Sequence, residues 1–313
     1  MKFIRLNTAV LSIIALAMAA SPDPAKATEP PATPWEKSAD ISVRLVSASH
    51  AVGAEDTLDL GLHFKLGPGW RIYWENTTGY SFHPRIDTSG SQNVASLNLL
   101  WPVPTRIPVY EHITLGYTRE VVLPIIAKLV EPGKAARLRV KVIYLACSEI
   151  CIPSTANFDL DIPAGDPKPS EFAQLINQYR GEIPNNPSSQ GVKFDLVQGG
   201  TGKRPTLKVV AISNEPFSAP DLVVGGPESF EFSQPKVTLT EGGRKATFEV
   251  PTVMIDDFDP EHLQGKELTI ILSDSGRIAG QILTVSKEPL ARSPWAKLVD
   301  FVRGLLPNNG AES

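Results

Sequence analysis

Cysteine is almost absent from this chain: 313 residues contain two, Cys147 and Cys151. So small a number excludes the dense disulfide framework of a small secreted scaffold, and a chain of this length can fold on core burial alone. Methionine is scarce as well, with Met254 the only one after residue 27. The five histidines, His50, His63, His83, His112 and His262, show no metal-ligand spacing. Two thiolates would need further soft or imidazole ligands, so a metal site is the least supported use of the pair. No dense block of Lys or Arg occurs and the formal net charge is −4, which argues against nucleic acid as a partner. After the N-terminus no stretch approaches the roughly 18 continuous apolar residues of a membrane span. Helical periodicity is nearly missing too.

What is present begins with an address. Lys2 and Arg5 precede an apolar run from Ala9 to Ala20, and Ala25-Lys26-Ala27 supplies a small-residue cleavage site before Thr28. This is the pattern of a secretory signal peptide, assigned to residues 1–27. The mature protein is expected in the periplasm, an oxidising space in which a disulfide persists.

From Ile41 onward, short apolar/polar alternations separated by Gly and Pro turns read as strands. Leu58 to Leu66 alternates cleanly, Trp70 to Trp74 follows a Gly67-Pro68-Gly69 turn, and Val121 to Val130 is a strand whose Pro124 suggests an edge or a bulge. The stretch Arg106 to Tyr117 resists assignment, because it mixes proline, a turn-like Gly116 and two tyrosines. The pattern predicts an all-β fold: two immunoglobulin-like β-sandwich domains, at residues 28–165 and 191–290. Between them, residues 166–190 carry a helix and a linker. Ser170 can cap the helix, Phe172, Leu175, Ile176 and Tyr179 share a face, and Gly181 ends it. Residues 291–313 hold a C-terminal amphipathic helix, with Trp295, Leu298, Phe301, Val302 and Leu305 on one arc. That arc packs on the second domain or contacts a partner or membrane surface.

The pair sits where one strand ends and a connection begins. Leu138, Val140, Val142 and Tyr144 alternate with Arg137, Arg139 and Lys141 upstream, and Phe158, Leu160 and Ile162 alternate with Asp159 and Asp161 downstream. A tight turn there can bring two cysteines within disulfide reach. Three uses stay open: a structural staple, a redox-active dithiol, and a soft-metal site. Redox work needs one reachable thiolate and a second sulfur close enough to resolve a mixed disulfide, which the Ser148-Glu149-Ile150 spacer permits.

Three stretches together resemble the periplasmic N-terminal domain of the thiol:disulfide interchange protein DsbD family. They are Gly69-Trp-Arg-Ile-Tyr73-Trp74; the run from Trp101 through Tyr110 to Gly116-Tyr117 and Pro124; and Tyr144-Leu-Ala-Cys147-Ser-Glu-Ile-Cys151-Ile-Pro153. Trp74-x-Asn76, Gly79 and the C-x3-C-I-P form are similar to the ScsB-like branch, linked to suppression of copper sensitivity. The resemblance implies an immunoglobulin-like domain that takes electrons from a membrane-embedded dithiol and reduces thioredoxin-fold partners. It implies that Cys151 attacks the partner and Cys147 resolves, with Tyr110 as a cap aromatic and Tyr73 lining the same pocket. No cofactor and no metal are implied. The C-x3-C spacing is shorter than in the best-known member. The chain has no transmembrane electron-transfer domain and no C-terminal thioredoxin-like domain, so a separate multi-pass membrane protein is the expected donor. The competing readings are a non-catalytic binding or assembly module stapled by the pair and, with less support, a Cu(I)-binding protein.

Overall fold

The computed structural model describes residues 31–75, 82–110, 112–199, 206–227, 229–254 and 263–286. The signal peptide expected at 1–27 and the amphipathic helix expected within 291–313 lie outside these residues. The first unit is built from β1 (Glu36–Ser38), β2 (Ile41–Ser47), β3 (Thr57–Leu66), β4 (Arg71–Tyr73), β5 (Arg85–Asp87), β6 (Val94–Leu99), β7 (Thr105–Val109), β8 (His112–Thr118), β9 (Glu120–Leu129), β10 (Ala136–Cys147) and β11 (Cys151–Ile162). One sheet runs in the order β1-β2-β3-β9-β6 and the other in the order β11-β10-β4-β8-β7, with β5 also pairing β10. The alternations read from the sequence are what make the sandwich: Leu60, Leu62, Phe64, Leu123 and Ile125 of one sheet meet Ile72, Leu138, Val140, Val142 and Tyr144 of the other. Tyr144 belongs to this core. Its ring packs edge-on against Phe64 at 5.3 Å, and burial pushes its phenol up to about 12.

Two local expectations change. The unassigned stretch 106–117 forms the β7–β8 hairpin, and Gly116 lies inside β8 instead of in a turn. A Cβ at Gly116 would stand 2.3 Å from the carbonyl oxygen of Ile72, so close strand approach, and not chain reversal, requires the glycine. Pro124 sits on an interior strand between β3 and β6, neither on an edge nor in a bulge. Its carbonyl accepts from the N–H of Leu100, just past the end of β6. The missing N–H faces the same side, so proline costs the sheet only the reciprocal bond to Leu100, at the very end of the β6 pairing.

Helix α1 (Ala173–Arg180) closes this unit. The hydroxyl of Ser170 accepts from the N–H of Phe172 at 3.0 Å and donates to the carbonyl of Ser47 at 2.6 Å. Ile176 seats the helix on Val46 and Val122 of the outer face of the first sheet.

The second unit contains β12 (Val192–Gly199), β13 (Thr206–Ser213), β14 (Asp221–Gly225), β15 (Phe230–Phe232), β16 (Lys236–Thr240), β17 (Lys245–Met254), β18 (Glu267–Asp274) and β19 (Arg277–Thr284). Its sheets are β12-β13-β17-β15, with β16 also on β17, and β14-β18-β19. Leu207, Val209, Phe248 and Val250 face Leu222, Ile270 and Leu272 across its core. The units are joined: Val223 and Ile271 pack into the first unit's core, and Arg106 on β7 pairs with Asp221 at 2.7 Å. The all-β, immunoglobulin-like architecture expected from the sequence is the one observed.

Candidate functional site

The β10–β11 hairpin places the cysteines. Its ladder runs from Ala136↔Ile162 to Cys147↔Cys151, so the two cysteines are the last rung, and Ser148 to Ile150 close the turn with an N–H of Ser148 to carbonyl of Ile150 bond of 2.9 Å. Residues directly opposite in an antiparallel pair project to the same face. The sulfurs are joined in a disulfide with the Cα atoms 4.1 Å apart. Strand parity then decides which face they occupy. Leu138, Val140, Val142, Tyr144 and Ala146 fill the sandwich core, so Cys147 and Cys151 project from the outer face of the sheet.

The two sulfurs live in different surroundings. Cys147 is fully buried although it faces outward, whereas Cys151 is exposed. The cover comes from β4, the neighbour of β10 on its inner side. Arg71 stands directly opposite Cys147, and alternation puts Arg71 and Tyr73 on the outer face while Ile72 enters the core. The Tyr73 hydroxyl lies 3.7 Å from Sγ of Cys151, and Nη1 of Arg71 donates to the carbonyl of Ser148 at 2.8 Å. Of the residues expected from the sequence, the structure brings Cys147, Cys151 and Tyr73 together. Arg71 was missed. The signal was available, since a lone cation between aromatics in a strand with a buried partner pattern is unusual.

Tyr110 is elsewhere. It occupies the β7–β8 tip with φ of 55° and is 85% exposed. Thr118 is the β8 residue opposite Arg71, and Gly116 is opposite Tyr73. The tip is therefore a strand length from the cysteine rung, about 20 Å along β8, and the ring does not cover the sulfurs in this structure. The hairpin instead leans on the second unit: Glu231 accepts from Nδ1–H of His112 at 2.7 Å and from the N–H of Ile113 at 2.9 Å.

A cavity of about 770 Å³ opens between the units, lined among others by Trp74, Trp101, Ile183, Ile271 and Ile282. Neither cysteine borders it. Among the described residues no three His, Cys, Asp or Glu side chains gather in a way that could hold a metal ion, and no helix is long and apolar enough to cross a membrane. Chemically, a buried sulfur joined to an exposed one can accept attack at the exposed atom and, once reduced, attack from it.

Comparison with known proteins agrees with this geometry. Residues 42–181 match the family model described as thiol:disulfide interchange protein DsbD, N-terminal, and residues 182–288 match that of a domain of unknown function. No curated protein matches by sequence. Among solved structures, the crystal structure of the N-terminal periplasmic domain of ScsB from Proteus mirabilis is similar with a TM-score of 0.63 and 22% identity, over 83% of this chain and 100% of that one. That likeness, at this identity, speaks for a shared fold across both units. Residues 42–181, which include the disulfide, thus form an N-terminal domain of the DsbD thiol:disulfide interchange family.

Proposed function

We propose that this protein carries electrons in the periplasm, from a separate multi-pass membrane dithiol donor to thioredoxin-fold partners, through the Cys147/Cys151 pair. In the reduced protein the Cys151 thiolate attacks a partner disulfide. A Cys151–partner bond forms, the partner S–S bond breaks, and the second partner sulfur leaves as a thiolate. Cys147 then attacks Sγ of Cys151, restoring the disulfide and releasing the first partner sulfur. Two electrons pass to the partner, whose thiolates take up the protons released by the pair. The donor recharges the pair by the same exchange in reverse.

The observation that carries this reading is the asymmetry of the pair inside a DsbD N-terminal domain: Cys151 exposed, Cys147 buried. Ile150, beside Cys151 in the turn, is 67% exposed and offers an apolar contact to a docking partner. The inert-staple reading is weakened by position. The bridge closes a loop across four positions at the end of a ladder already zipped, where chain-entropy arguments allow about 2 kcal/mol.

The test is covalent capture. A Cys147→Ala variant should accumulate a mixed disulfide through Cys151 with thioredoxin-fold periplasmic proteins, and the additional change Cys151→Ala should abolish it. If the single variant captures no partner, the exchange reading fails and the staple stands.

A further inference from the structure

We propose that Arg71 is the electrostatic and positioning partner of the reduced pair: its guanidinium holds the turn through the Ser148 carbonyl and stabilises the thiolate of Cys147. This assignment rests on the exchange reading above and deepens it, since it says how a buried sulfur can act as the resolving nucleophile.

Four observations converge. Arg71 is the cross-strand neighbour of Cys147, and such opposed side chains have Cβ atoms about 4.5–5.5 Å apart. The residue is only 8% exposed, and its Nε is buried without a hydrogen-bond partner. Its Nη1 is spent on the carbonyl of Ser148, inside the ring that the disulfide closes. Finally, the guanidinium carbon lies 5.9 Å from the centre of the Tyr73 ring, whose hydroxyl approaches Cys151. Among the described residues Arg71 has no carboxylate partner.

A buried cation without an anion is costly to keep. In the oxidised protein a carbonyl dipole and a ring face solvate it in part. Reduction supplies the missing anion: the thiolate of Cys147 forms on the same face of the sheet, on the residue directly opposite Arg71, whose Nε–H is unpaired. An opposite charge within about 4–6 Å favours the ionised form by 1–3 pH units, whereas a thiol buried in apolar surroundings would be inert. Among the described residues, strand pairing and the turn place Tyr73 on β4, Cys151 on β11, the neutral Thr118 on β8 and the exposed, opposing Glu149 around this spot. In the resolving step the Cys147 thiolate, its proton already lost to water, forms the bond to Cys151 while the partner sulfur departs with the electron pair of the broken bond.

The experiment titrates Cys147 alone. In a Cys151→Ser background the thiolate absorbance of Cys147 should have a midpoint below the ordinary thiol value of about 8.5. Arg71→Gln should raise that midpoint by about one unit, roughly a tenfold loss of thiolate at neutral pH, and Arg71→Lys should restore most of it. Midpoints that coincide with and without Arg71 overturn the proposal. So does a midpoint above about 8.5 in the Cys151→Ser protein, a result that needs no Arg71 variant to fold. Failure of Cys147→Ala to capture a partner would sink the exchange reading alone and leave this titration standing.

Discussion

Glu231 of the second unit binds His112 of the first across the boundary between them, Oε2 to Nδ1 at 2.7 Å. The same carboxylate, 6% exposed, takes the N–H of Ile113 at 2.9 Å. The second strand-rich unit is thereby fastened to the hairpin that flanks β4. Replacing Glu231 by Ala leaves the Ile113 N–H without its acceptor, a loss of about 1–3 kcal/mol. Amide hydrogen exchange at Ile113 and its hairpin neighbours should accelerate roughly tenfold or more, with the β10–β11 amides unchanged. Equal protection in the variant would show that the contact bears no load.

Gly116 gives the sharpest stability prediction. The alanine methyl would collide with the carbonyl oxygen of Ile72, a backbone atom that cannot rotate away. Gly116→Ala should cost about 3 kcal/mol in urea denaturation of the oxidised protein. The same change at Gly69, where nothing lies within 4 Å of the added atom, is limited to the penalty of its positive φ.

His63 sets an acid limit. It is buried in the first sheet, and its Nε2–H donates to Glu120 at 2.7 Å while Nδ1 faces the Arg44 guanidinium at 3.4 Å. Burial, aided by Arg44, holds its pKa below the ordinary value even though Glu120 pulls the other way. The folded protein therefore takes up this proton later than the unfolded chain. The stability from neutral His63 is fully present above about pH 6.5 and declines as pH falls from there through the folded value. Melting temperature should drop across that window, and a His63→Gln variant should lose the drop. A wild-type profile flat down to about pH 5 would contradict the assignment.

Much of this was legible in the sequence. Alternation alone gave β3, β9, β10 and β11, and the isolated C-x3-C at a strand end allowed a close approach of its cysteines without deciding between a disulfide and a soft-metal site. The hairpin at 105–118 was not legible, because Pro108 and Gly116 carry turn propensity that cross-strand packing overrides. Pro124 misled for a similar reason: the rule against interior proline concerns a lost ladder bond, and here the loss is confined to one bond at the end of the β6 pairing. Arg106–Asp221 and His112–Glu231 join residues far apart in the chain, and local periodicity holds no trace of such contacts. Arg71 stood out as a lone cation between aromatics, but its partner across the sheet could not be read locally.

The two tyrosines expected near the sulfurs should separate cleanly. Tyr73→Phe removes the hydroxyl 3.7 Å from Sγ of Cys151 and should change the alkylation rate of the reduced protein at Cys151 about two- to fivefold, a weak bond's worth. Tyr110→Ala removes a ring that is 85% exposed and should leave that rate within about twofold. A large rise in the Tyr110 variant would mean that the hairpin folds over the pair when it is reduced.

The last rung of the β10–β11 ladder is also the disulfide. The eleven rungs from Ala136↔Ile162 to Ala146↔Ile152 align the two cysteines without any help from the S–S bond. The register of the hairpin therefore rests on its backbone and core and not on the disulfide. What the S–S bond adds lies at the surface, where it joins an exposed sulfur to a buried one at the edge of a plate already held by its backbone.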